Sequence, residues 1–145
     1  MDATLLIARM QPTLAAQPAV AVAWLFGSAA RGTMRSDSDV DVAIVFVEGV
    51  LPAERERILV DLSSRLESAT SPHPIEVVDL AEQGWVFIHR ALIDGKRIVV
   101  NDEERRVEFE ANAHVRYLDW KPTWDIAANE QQAGMRRWLA RQRRA

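Results

Sequence analysis

An α/β domain is the fold class that the sequence predicts, on three observations. Apolar runs of strand length alternate with segments of helical periodicity, turn formers separate them, and 48% of the 145 residues are apolar, enough for one buried core. Residues 3 to 10 (ATLLIARM) read as an apolar helix with Pro12 near its end. Val20 to Phe26 (VAVAWLF) is almost unbroken in apolar character and reads as a buried strand. The chain then turns at Gly27-Ser28, passes through AARGTMRSDS, and resumes as a second strand from Asp39 to Val47. Pro52 suits the first turn of a helix, and Ile58, Leu59, Leu62 and Leu66 recur on one face, giving a helix of about four turns. SPHP breaks the chain before IEVVDL, a third strand. Trp85 to Ile93 reads as a helix closed by Asp94-Gly95, and Arg97 to Val100 as a fourth strand.

Residues 1–100 are thus one domain and residues 101–145 a helical extension. The extension is expected as two helices divided at Lys121-Pro122, because a residue before proline is pushed out of helical geometry. In its first part Val107, Ala111, Val115 and Leu118 form one apolar stripe, and Phe109, Ala113, Tyr117 and Trp120 form another on nearly the opposite side. A helix with two apolar faces needs two partners. In its second part Trp124, Ala128, Gln131, Met135 and Trp138 fall at heptad-like intervals, so these aromatics pack either on the domain's own core or on a partner.

Composition excludes several classes of function. No apolar run approaches the ~20 residues of a membrane span, and an acid stands where a signal peptide carries its basic region, so the expected location is the cytoplasm. Without cysteine there is no disulfide scaffold, thiolate metal site or cysteine nucleophile. A net charge of -3 argues against nucleic acid held by bulk electrostatics, although five arginines crowd the last ten residues: Arg136, Arg137, Arg141, Arg143 and Arg144. That tail is solvated, placed against an acidic partner, or set with Trp138 against RNA, although no recognised RNA-binding module accompanies it. His73, His89 and His114 share no local spacing and suggest no zinc site. Met34 is a contact for a bound base or a protein, or simply exposed.

The chemistry lies between the first two strands. Side chains two apart on a strand share a face, so Asp39 and Asp41 converge while Val40 and Val42 enter the core. Paired carboxylates suit Mg²⁺, a hard ion that takes one or two of them and completes its shell with water and substrate phosphates. Gly27 lets a triphosphate approach the backbone, and Ser28, as N-cap of a following helical turn, offers its hydroxyl and amide to phosphate oxygens. Arg31 either contacts a phosphate or forms a structural ion pair.

Gly27-Ser28, ten intervening residues and Asp39-x-Asp41, within LFGSAARGTMRSDSDVDVAIVF, resemble the signature of the DNA polymerase beta-like nucleotidyltransferases. The short chain, with GSAARG followed by SDVDV, resembles in particular the minimal nucleotidyltransferases, MntA-like antitoxins paired with HEPN ribonuclease toxins. The resemblance extends more loosely through PIEVVDL, GKRIVV and YLDWKP. It implies a mixed sheet flanked by helices, two Mg²⁺ ions, ATP as donor, and transfer of AMP to a tyrosine of the toxin in a hetero-oligomer. It also implies a third carboxylate from a later strand, and that position is Glu76 where the family pattern has aspartate. Asp39, Asp41 and Glu76 are then the metal-binding catalytic set, with Gly27, Ser28 and Arg31 on the nucleotide. Asp79, three residues on, has the opposite strand parity and is read as structural. A binding antitoxin without catalysis is the alternative that Glu76 suggests. Transfer to a small molecule such as an aminoglycoside is a third, without an acceptor-pocket signal.

Overall fold

The computed structural model describes residues 2–144, and of Trp124 and Arg144 the backbone alone. Five helices and four strands follow in the order α1 (Ala3–Ala15), β1 (Val20–Phe26), α2 (Gly27–Arg31), β2 (Val40–Phe46), α3 (Pro52–Thr70), β3 (Ile75–Asp79), α4 (Trp85–Asp94), β4 (Lys96–Val100) and α5 (Glu103–Arg144), with a 3₁₀ turn at Leu80–Glu82. The strands form one mixed sheet in the order β3-β2-β1-β4. β1 runs antiparallel to both β2 and β4, while β2 and β3 are parallel. Parallel neighbours need a crossover, and α3 supplies it.

Each sheet face has its own core. On one side Leu6, Met10 and Leu14 of α1 and Leu62 and Leu66 of α3 pack on Leu25, Val40, Val42, Ile44, Ile75 and Val77. On the other side Ile88 and Ala91 of α4 and Phe109 and Ala113 of α5 pack on Val22, Trp24, Ala43 and Val45. Because both faces are covered, β1 and β2 read as continuous apolar runs rather than alternating ones. The pairing register shifts between Val20 and Val22, an irregularity that puts these residues, two apart, in different cores.

The structure departs from the sequence expectation in α5. It is one helix of 42 residues that passes through Lys121 and Pro122 without a break. Proline cannot donate to the carbonyl of Leu118, but Leu118 is 52% exposed and Pro122 is exposed, so water can satisfy that carbonyl. The two-faced pattern is resolved as well. Phe109 and Ala113 are buried in the second core and Tyr117 stacks on His89 of α4, whereas Val107, Val115 and Leu118 stay exposed. Further along, Met135 and Trp138 are also exposed, while the side chain of Trp124 lies outside the described residues.

Replacing Pro122 by alanine restores a helical hydrogen bond and removes a ring clash, together worth about 3 kcal/mol in a helix interior. Hydrogen-exchange protection across residues 118–126 is expected to rise by at least about tenfold in Pro122→Ala. Unchanged protection would show a helix already interrupted there.

Candidate active site

Three cross-strand neighbours line up on the face that carries α4 and α5. Phe26 of β1 pairs with Asp41 of β2, and Asp41 pairs with Glu76 of β3. Residues directly opposite in a ladder point to the same side, so the sheet itself sets the two carboxylates next to each other. Glu76 is exposed on the edge strand and Asp41 is half-buried in the middle. Asp39 precedes β2 and is exposed, and its charge reaches Asp41.

The loop that carries Asp39 is pinned at its root. The buried ring of His73 donates through Nδ1 to the Ser38 carbonyl at 3.2 Å, and the Val40 amide donates to the Pro74 carbonyl at 2.8 Å. His73 thus has a structural role, one that no local pattern in the sequence marks because its partner is 35 residues away. His89 and His114 likewise face one cavity of about 390 Å³ between α4 and α5, a meeting that only tertiary packing creates.

Gly27 has φ +69°, in the left-handed region that glycine tolerates. A Cβ placed there would run into the Asp41 carboxylate. The glycine therefore makes room for the Asp41 carboxylate. α2 starts at Gly27 itself, with Phe26 in the capping position and no side-chain cap, which corrects the expectation that Ser28 is the N-cap. Ser28 is the second residue of a single five-residue turn, and its carbonyl accepts from the amides of Gly32 and Thr33. Its hydroxyl is free of the capping role because the tight turn begins one residue earlier. Arg31, exposed at the end of this turn, lowers the pKa of Asp41 through its charge, and no salt bridge to it forms among the described residues.

Burial, then the charges of Glu76 and Asp39, hold the Asp41 carboxyl above its ordinary value of 3.8, against the pull of Arg31. Among the described residues no three histidine, aspartate or glutamate side chains stand together as a ready-made metal cage. The donors are nonetheless all hard oxygens, and the mutual repulsion around Asp41 is what a divalent cation relieves, so Asp41 and its neighbours fit Mg²⁺ completed by water and phosphate. Asp79 points the other way. It is buried on the α3 side, 3.5 Å from the Arg55 guanidinium, and accepts from the Ala81 amide at 3.3 Å. Burial raises its pKa too, with the Ala81 amide and Arg55 opposing.

The family model described as polymerase beta, nucleotidyltransferase matches residues 9–104. The chain belongs to this nucleotidyltransferase family. Among curated proteins none matches it. Solved structures resemble the nucleotidyltransferase over most of its length. A toxin-antitoxin crystal structure with AMP-PNP has a chain that superposes with a TM-score of 0.65 at 18% identity, covering 90% of this chain and 98% of that one. A tri-AMPylated Shewanella oneidensis HEPN toxin in complex with MNT antitoxin gives a TM-score of 0.63 at 17% identity, over 88% and 97% of the two chains. A putative minimal nucleotidyltransferase is 28% identical, with a TM-score of 0.50, over 66% of this chain and 95% of that one. Likeness at these levels carries the fold.

Two outcomes follow from the geometry. Asp41 binds its proton more tightly folded than unfolded, so its contribution to stability is full below pH 3.8 and is lost as pH rises through the raised native value. Asp41→Asn, which removes the charge at nearly constant shape, is expected to raise Tm at pH 7 in chelator-treated buffer; an unchanged or lower Tm would contradict the crowding. Gly27→Ala is expected to lose about 1–3 kcal/mol from the left-handed backbone alone, read by urea denaturation, and more as Asp41 is displaced.

Proposed function

We propose that this nucleotidyltransferase transfers AMP from ATP to a tyrosine of a HEPN-type ribonuclease toxin, and so acts as the antitoxin of the pair in the cytoplasm. The observation that carries the reading is the in-register placement of Asp41 beside Glu76, with Asp39 at the same strand entrance and Gly27 against Asp41. The choice of acceptor is supported by the likeness to toxin-antitoxin structures, one with AMP-PNP and one with an AMPylated HEPN toxin.

Asp39, Asp41 and Glu76 are the residues that would hold two Mg²⁺ ions, which when bound neutralise charge developing at the α-phosphorus. Gly27 and Ser28 hold the β- and γ-phosphates, with the Arg31 cation alongside. Glu76, exposed on the edge strand, orients the incoming tyrosine hydroxyl and takes its proton. A bond forms between the tyrosine oxygen and the α-phosphorus, the bond from that phosphorus to the bridging oxygen breaks, and pyrophosphate leaves with the electron pair. Glutamate reaches one methylene further than aspartate, and a displacement of about 1 Å can cost a hundredfold in rate.

That cost supports a second reading, a binding antitoxin with little or no transfer. The exposed Val107, Val115 and Leu118 on α5 offer an apolar face to a partner under either reading.

Intact mass of the HEPN-type partner after coexpression separates the two. Shifts by whole AMP units with the wild-type chain, absent with an Asp39→Asn, Asp41→Asn double variant, are expected. A toxin that stays unmodified yet is inhibited by both proteins would establish the binding antitoxin instead.

A further inference from the structure

Ala113 is the last buried residue of α5, and from Leu118 onward every described side chain is exposed or half-buried. Helices in proteins owe their stability to packing more than to propensity, so this distal half calls for a partner. A stripe that steps by three and four residues runs the length of the helix on the side away from Phe109 and Ala113. It begins with Glu104 and Glu108, continues through Ala111, Val115 and Leu118 to Pro122, Ile126 and Asn129, and ends in Ala133, Arg136, Ala140 and Arg143. All are exposed except Ala133, which is half-buried.

The stripe is acidic at one end, apolar in its middle and basic at the other end. Glu104 and Glu108 line a cavity of about 350 Å³ together with Glu48 and Asp102, with Arg105 as the one cation among its lining residues. Among the described residues Glu104 has no ion-pair partner, and neither have Arg136 and Arg143. At 1.5 Å per residue the two ends lie about 58 Å apart along one continuous helix, so the arginines of a chain cannot reach the acids of the same chain.

We propose that a second copy of this chain covers the stripe, with its α5 running antiparallel to the first. A two-fold axis near Pro122 then turns each acidic end toward the basic end of the other copy, so the same contact is made twice. With Glu104 set against Arg143 of the second copy, Val115 comes opposite Ala133, Pro122 comes opposite Ile126, and Arg136 falls within a turn of Glu108. The apolar middle supplies the contact, and the charges set direction and register, since a parallel pair would place acids on acids and arginines on arginines. The stripe lies on the far side of α5 from the sheet, so the two domains sit toward opposite ends of the pair. Met135 and Trp138, on the face that continues from Phe109 and Ala113, stay outside it. None of this depends on the nucleotidyl-transfer reading.

The chain has no cysteine, so introduced thiols report the arrangement directly. Full-length Glu104→Cys and Arg143→Cys proteins are expected to form a disulfide-linked dimer in air when mixed and not to do so separately, because like ends lie about 58 Å apart. Sedimentation equilibrium of the wild type is expected to show reversible dimerisation whose Kd weakens by about tenfold or more in Arg136→Glu, Arg143→Glu and recovers when Glu104→Arg, Glu108→Arg is added. Either cysteine variant linking to itself as readily as to the other overturns the antiparallel arrangement. A Kd untouched by the charge reversals overturns the pairing of the ends. A wild-type chain that stays monomeric at every concentration overturns the proposal outright and assigns the stripe to a different protein.

Discussion

The parallel ladder between β2 and β3 is the interaction on which the site depends. It sets Val40 against Ile75 and Asp41 against Glu76, and so on to Ile44 and Asp79. A slip by one residue would turn Glu76 toward α1 and α3 and bring an isoleucine or a valine beside Asp41. Three features resist that slip. Leu62 and Leu66 seat the crossover helix α3, Ile75 and Val77 belong in the same core, and the bonds from His73 to Ser38 and from Val40 to Pro74 tie the two strand entrances together.

The same ladder creates a conflict. Bringing Glu76 and Asp39 near a half-buried Asp41 opposes the ionisation of Asp41. The fold accepts this strain and limits it locally. Gly27, in a left-handed conformation, leaves the space that the Asp41 carboxylate occupies, and Arg31 supplies an opposing charge. Asp79 shows the alternative arrangement, in which an acid of the same strand as Glu76 turns to the other face, meets Arg55 and serves the packing.

α5 has one face in the core and one in solvent. Its first turns contribute Phe109 and Ala113 to the second core, where Phe109 lies 6.4 Å from Trp24 between ring centroids, so the helix is part of the domain's packing and no loose appendage. The opposite stripe of Val107, Val115 and Leu118 faces solvent. One helix thereby stabilises the face that carries the carboxylates and presents a second apolar surface away from it.

The sequence by itself determined the elements and the parity of their side chains. Long apolar runs, turn formers and strand alternation mark β1 to β4, and alternation alone places Asp41 and Glu76 on one side of their strands and Asp79 on the other, because a strand has a period of two. The spacing from Gly27-Ser28 to Asp39 and Asp41 was equally legible, being local. What tertiary structure decided were the relations between segments: the strand order, the register that makes Asp41 and Glu76 neighbours, the contact of His73 with Ser38, and the meeting of Phe26 with Phe87. It also overruled two local rules. Proline's bias against a helical neighbour gave way to helix on both sides of Lys121 and Pro122, and the serine preference for N-caps gave way to a turn starting at Gly27 beside the Asp41 carboxylate. At Pro122 the exposed Leu118 carbonyl stays open to water, and at Gly27 the left-handed backbone leaves the space that the Asp41 carboxylate takes, so neither local rule is costly to break.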